Sequence, residues 1–143
     1  RRMNDQVDRP SGMRIRAHPE AQLQRAVVAY LRLALPADAV MTAIGHGGGG
    51  RVRGAILKGM GLTPGWPDLQ FLWRSKFYSI ELKSPKGLLG PKQYKVSLAI
   101  EHAGGFYGVV RQIDDAQKLL AEWGIPTRAK VTCDRRHPDR ARV

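Results

Sequence analysis

Cysteine is nearly absent from this chain, with one, Cys133, among 143 residues. A single thiol excludes an internal disulfide framework and a Cys-rich zinc site, and it suits a reducing compartment. Aromatic residues are few, at 7%. No apolar run approaches the roughly 18 to 20 residues that cross a bilayer, and the first residues lack the apolar stretch of a secretory leader, so a soluble protein with no membrane partner is expected. Negative charge is the other scarcity: 12 Asp and Glu stand against 24 Lys and Arg, a formal net charge of +12. Solubility alone needs far less. A polyanionic partner is therefore expected, and nucleic acid is the first candidate.

What is present amounts to one domain, with 43% apolar residues to build a core. Residues 1–18 carry five Arg against two Asp, and residues 124–143 carry five Arg and one Lys against two Asp. Both ends have little apolar periodicity and contain Pro10, Pro126 and Pro138. The expected organisation is a mobile basic arm over 1–18, a folded domain over 19–124 and a basic C-terminal tail over 125–143. The middle keeps an excess of basic residues, so positive charge belongs to the folded part too.

Along that middle, Pro19 suits a first helical position, and Leu23, Val27, Tyr30, Leu31 and Ala34 recur at three- and four-residue spacing until Pro36 ends the helix. Glu20 falls at the edge of this inward stripe. Val40 to Ile44 reads as a short strand, followed by the Gly-rich loop at 45–50 and one or two helical turns over Arg51 to Lys58. The loop lacks the Lys-Ser or Lys-Thr of a nucleotide-binding P-loop. It reads better as a presenter of Arg51 and Arg53 to phosphates. Leu69 to Trp73 and Phe77 to Leu82 form a hairpin. A two-residue turn at Arg74 and Ser75 pairs Trp73 with Lys76, Phe71 with Tyr78, Leu69 with Ile80 and so Asp68 with Glu81, whereas a slip by one residue would mix polar and apolar residues on each face. Gly90 and Pro91 open a helix to Ala103, Phe106 to Val110 is a further strand, and Asp114 with Gln117 is the expected cap of a last helix ending near Gly124. The fold class is α/β, a mixed central sheet flanked by helices.

The hairpin register places Asp68, Glu81 and Lys83 on one face. Carboxylates that close repel unless a cation joins them. Hard oxygen donors of this kind suit Mg2+ or Mn2+, which binds through a few carboxylates together with substrate phosphate. Lys83 can then orient water or stabilise charge on the phosphate, and the chemistry implied is phosphodiester hydrolysis. A Glu and a Lys two apart on a strand most often form a solvated face; the Pro67-Asp68 pair opposite and Gln93 downstream favour the functional reading.

Pro67-Asp68 with Glu81-Leu82-Lys83 resembles the PD-(D/E)xK nuclease signature, and the ordered set GWPDL at 65–69, IELKSPKG at 80–87, Pro91 to Gln93 and GGFYGVVR at 104–111 is similar to the virus-type replication-repair nuclease (VRR-NUC) domain. The resemblance covers about residues 19–123 and implies a restriction-endonuclease-like core. It further implies Asp68, Glu81 and the carbonyl of Leu82 as metal ligands, Glu20 as the acidic residue of the first helix, Lys83 as the catalytic lysine and Gln93 as a catalytic glutamine. Val110-Arg111-Gln112-Ile113 departs slightly from the family's pattern. Arg51, Arg53, Lys58, Lys86 and Lys92 are the expected DNA-binding residues. The function expected is a Mg2+- or Mn2+-dependent, structure-selective DNA endonuclease like a Holliday-junction resolvase, acting on branched DNA such as a four-way junction or flap. It would work as a homodimer, in repair, recombination or phage DNA processing, in the cytoplasm of a bacterial cell or phage-infected host. The alternatives are a non-catalytic DNA-binding module on a nuclease fold and a monomeric nickase or flap nuclease. His46, in the Gly-rich loop, reads as no more than a DNA contact, Cys133 with His137 carries too little for a zinc site, and Trp66, Trp73 and Trp123 read as packing residues.

Overall fold

In a computed structural model of the chain, residues 19–45 and 50–131 are described. The expected N-terminal arm, the loop residues 46–49 and the Cys133–His137 pair lie outside the described residues. Helix α1 (Pro19–Ala34) buries Val27, Tyr30, Leu31 and Ala34, with Leu23 partly buried beside them. Strand β1 (Val40–Ala43) follows, then α2 (Gly50–Gly59), β2 (Leu69–Trp73), β3 (Lys76–Leu82), α3 (Pro91–His102), β4 (Phe106–Val110) and α4 (Ile113–Glu122). The element order matches the sequence reading; α2, at ten residues, is longer than the one or two turns expected.

The four strands form one sheet in the order β1-β2-β3-β4, antiparallel except for the parallel β3/β4 pair. A parallel pair needs a crossover, and α3 supplies it. The turn between β2 and β3 uses Arg74 (φ 48°) and Ser75 (φ 60°), both left-handed as the favoured two-residue hairpin turns require. Neither is a glycine, so the register rests on the strands, which pair Leu69 with Ile80, Phe71 with Tyr78 and Trp73 with Lys76.

Alternation along these strands divides the sheet into two faces. Leu69, Phe71, Tyr78, Ile80, Leu82 and Val110 meet α1 and α4 in the main core. Phe71 stacks on Tyr78 at 4.8 Å and Tyr78 on Phe106 at 4.7 Å, with Trp123 tilted against all three rings. Helix α4 approaches β4 so closely that a Cβ at Gly108 would meet Leu119 Cδ2 at 2.3 Å. Trp73 donates to Asp38 and Trp66 to Gln70, each at 3.0 Å, so all three tryptophans are packing residues. The opposite face carries Ser79 and Glu81 and is covered by α3 through Val96, Ser97 and Ile100.

Two local expectations are corrected. Helix α4 is capped two residues earlier than the Asp114–Gln117 pair: Gln112 is the N-cap, and the Asp115 carboxylate accepts the N–H groups of Arg111 (3.0 Å) and Gln112 (3.2 Å). Residues 125–131, assigned to the tail, pack back on the domain: Ile125 is buried, and the Arg128 N–H donates to the Ala34 carbonyl at 2.8 Å while its guanidinium reaches the Arg32 carbonyl at the end of α1.

Candidate active site

The site is assembled where β2 begins and β3 ends. Extending the hairpin register by one residue sets Asp68 opposite Glu81, and the Asp68 carboxylate fixes this by accepting the Leu82 N–H at 2.8 Å. The Asp68 carbonyl accepts the Ile44 N–H, also at 2.8 Å, so β1 holds the same residue from its other side. Glu81 is only 2% exposed. Its Oε1 is held by two donors: Lys83 Nζ at 3.2 Å, two residues along the strand, and Gln93 Nε2 from the first turn of α3. Gln93 is oriented in turn by the Gly90 N–H, which donates to its Oε1 at 2.9 Å. The buried Glu81 Oε2 has no hydrogen-bond partner among the described residues.

Electrostatics follow from this crowding. Burial, then the negative charge of Asp68, pushes the Glu81 carboxyl up to about 7 against the opposing pull of Lys83, and Glu20 adds a smaller upward contribution. A carboxylate at 2% exposure with an unpartnered oxygen beside a second carboxylate is costly alone. An oxygen-binding divalent cation is the ligand that removes both costs at once. Asp68 and Glu81 thus fit the implied metal, with Leu82 at the strand end between them. Glu20 does not join them closely: it is exposed in the first turn of α1, and among the described residues no group of three or more His, Cys, Asp or Glu is placed to hold an ion.

Tyr107 is the residue that sequence reading missed. It pairs with Ser79 across the parallel β3/β4 ladder, which sets it diagonal to Glu81 on the same face. Its buried hydroxyl has no partner among the described residues. Burial, then the charges of Glu81 and Asp68, raises its pKa above the ordinary value for tyrosine. A local signal existed in the alternation of Phe106 to Val110, but its meaning depends on a pairing that local sequence does not specify.

The expected DNA-binding residues fall in three places. Arg51 and Arg53 are exposed on α2. Lys86 is exposed in the turn closed by the Gly87 N–H to the Ser84 carbonyl, which Arg111 braces by donating to the Gly87 carbonyl at 2.9 Å. Lys58 and Lys92 meet at one groove beside α3. Among the described residues, no helix is long and apolar enough to cross a membrane.

No family model and no curated protein matches the sequence. Similarity appears among solved structures. One, described as a VRR_NUC domain, shares 19% identity over 75% of this chain and 99% of its own, with a TM-score of 0.51. Another, described as a VRR_NUC domain protein, shares 19% identity over 76% of this chain and 90% of its own, with a TM-score of 0.59. At that identity the likeness is one of architecture, and it agrees with the mixed sheet and flanking helices: the chain shares the fold of these VRR_NUC domain structures.

Proposed function

We propose that this chain is a VRR-NUC nuclease that hydrolyses DNA phosphodiester bonds with Mg2+ or Mn2+ held by Asp68, Glu81 and the Leu82 carbonyl. The observation that carries the reading is the buried Glu81, which keeps one oxygen unpartnered while Lys83 and Gln93 hold the other, with the Asp68 charge acting on the same carboxyl. Nothing in packing alone accounts for placing that charge there. A bound cation would supply Lewis acidity toward the phosphate and lower the pKa of water. Gln93 fixes the orientation of Glu81 by holding Oε1, which leaves Oε2 without a donor among the described residues. Lys83, on the same face of β3, balances charge on the phosphate as it is attacked. Water adds to phosphorus, the 3′ oxygen leaves and takes up a proton, and the products are a 5′-phosphate and a 3′-hydroxyl. Glu20 acts from the rim of the site.

The substrate proposed is branched DNA, a four-way junction or a flap, and the assembly proposed is a homodimer that brings two sites to two strands. Exposed Ile56 on α2, Met60 just after it and exposed Leu88 are candidate contacts, together with the half-buried Leu57, Leu62 and Leu89. The test is cleavage of a labelled four-way junction, a flap and a linear duplex with Mg2+ or Mn2+, with end-group analysis and light scattering on the same sample. Metal-dependent cutting that favours a branched substrate and leaves 5′-phosphates supports the proposal. Tight binding with no cutting of any substrate would favour the non-catalytic module, and a monomer on the four-way junction would remove the resolvase form.

A further inference from the structure

A groove of about 330 Å3 separates the segment after α2 from the flank of α3. Pro64, Val96 and Ala99 line it with carbon, and Lys58, Lys92 and Lys95 bring three ammonium groups; among the described residues its lining holds no carboxylate. Three like charges around one apolar-walled groove repel one another, and an anion seated among them reverses the sign of that interaction. Long lysine stems packed on carbon with their heads at the mouth are the usual way such a surface stays wet. What distinguishes this groove is its mechanical tie to the carboxylate site.

That tie runs through Gly65. Its φ is +86°, and a Cβ there would lie 2.6 Å from the Lys92 carbonyl carbon and 2.8 Å from the Gln93 nitrogen. The wall bearing Thr63 and Pro64 therefore lies backbone against backbone on the first turn of α3. In that turn Lys92 lines the groove, and Gln93, the next residue, reaches Glu81. Groove and site thus share the first turn of α3.

We propose that the groove holds one nucleotide of an unpaired strand flanking the cut. Its phosphate sits among Lys58, Lys92 and Lys95, and its sugar and base lie on Pro64, Val96 and Ala99. The volume falls at the low end of small-ligand pockets, roughly 300 to 1,000 Å3, which admits a single nucleotide and not the width of a duplex. The apolar wall favours the same occupant, because a base can lie on carbon only when it is not stacked inside a helix. The inference takes branched DNA as the ligand from the proposed function and adds a subsite that selects between its two forms, favouring DNA with a single-stranded arm beside the cleavage point over a fully paired junction.

The experiment measures affinity in EDTA, with no cleavage involved, for two labelled DNAs: a blunt duplex and the same duplex bearing a single-stranded arm. Wild type is expected to prefer the armed DNA. Ala99→Trp, which fills the groove, and Lys95→Glu, which reverses one of its charges, should each weaken armed DNA about tenfold and blunt duplex much less, erasing the preference. Lys95→Gln should lower the salt slope for armed DNA by about one phosphate contact. Circular dichroism checks that each variant folds, and Lys95→Gln serves if the charge reversal does not. Equal weakening of both DNAs, or no effect on either, overturns the groove assignment. A wild type that prefers armed DNA in EDTA but cuts nothing with Mn2+ would instead overturn the nuclease reading and leave the groove standing.

Discussion

Removing one charge from Glu81 should make the metal-free protein more stable while abolishing its response to metal. The carboxyl sits at about 7 against an ordinary 4.5, so the folded state favours the protonated form by about 3 kcal/mol relative to the unfolded chain. The folded state therefore binds more protons between these two values. Stability of the metal-free protein falls as pH rises through that interval, and the full penalty applies above about pH 7. Glu81→Gln keeps an oxygen for the Gln93 and Lys83 donors and replaces the charged carboxylate by a neutral amide, which removes the repulsion from Asp68. Because Lys83 loses its ionic partner, the expected net gain is about 1 to 3 kcal/mol near pH 8, and close to none near pH 5. The assay is urea or thermal denaturation in EDTA at both pH values, where each kcal/mol moves the midpoint by roughly 3 to 5 °C for a chain of this size. Adding Mn2+ should then stabilise wild type by mass action and leave the variant unmoved. A variant less stable than wild type near pH 8 in EDTA, or stabilised equally by Mn2+, would refute the reasoning and make Glu81 a structural residue.

Lys83→Ala removes the ammonium at 3.2 Å from Glu81; single-turnover cleavage should slow by about 10²- to 10³-fold with little change in Mn2+ affinity by calorimetry, and an unchanged rate would take Lys83 out of the mechanism. Tyr107→Phe deletes a buried hydroxyl with no partner among the described residues, so melting in EDTA should be unchanged or higher while Mn2+ affinity falls about tenfold; a drop in stability with metal affinity intact would assign the hydroxyl to packing. Gly65→Ala forces a side chain into a left-handed backbone pressed on α3 and should cost about 2 to 4 kcal/mol, read as a lower denaturation midpoint; an unaltered midpoint would mean the loop yields easily.

The hairpin and its three candidate site residues were legible because two constraints agreed. Leu69, Phe71 and Trp73 alternate in step with Tyr78, Ile80 and Leu82, and only one register puts all six on one face. That register delivers Asp68 to Glu81 and Lys83 without any tertiary information. Gln93 came from resemblance, and its bond to Glu81 depends on α3 crossing the sheet, which no local pattern specifies. Tyr107 was hidden for the same reason: parallel pairing joins residues far apart in sequence. The α4 cap falls at Gln112 rather than Asp114 because Asp115, and not Gln117, reaches back to the N–H groups that precede the helix. The packed segment 125–131 has too few apolar residues to announce itself; its anchors are Ile125 and the contact of Arg128 with the exposed carbonyls ending α1.

The most direct test of the central claim is the rate at which wild type and Asp68→Ala cut one labelled branched DNA with saturating Mn2+, with an EDTA control for each. Asp68 anchors the site through the Leu82 N–H and carries one of its two neighbouring carboxylates. The account predicts cutting by wild type that EDTA stops, and none by Asp68→Ala despite DNA affinity close to wild type. Equal cutting by the two proteins, or wild-type cutting that survives EDTA, would contradict it.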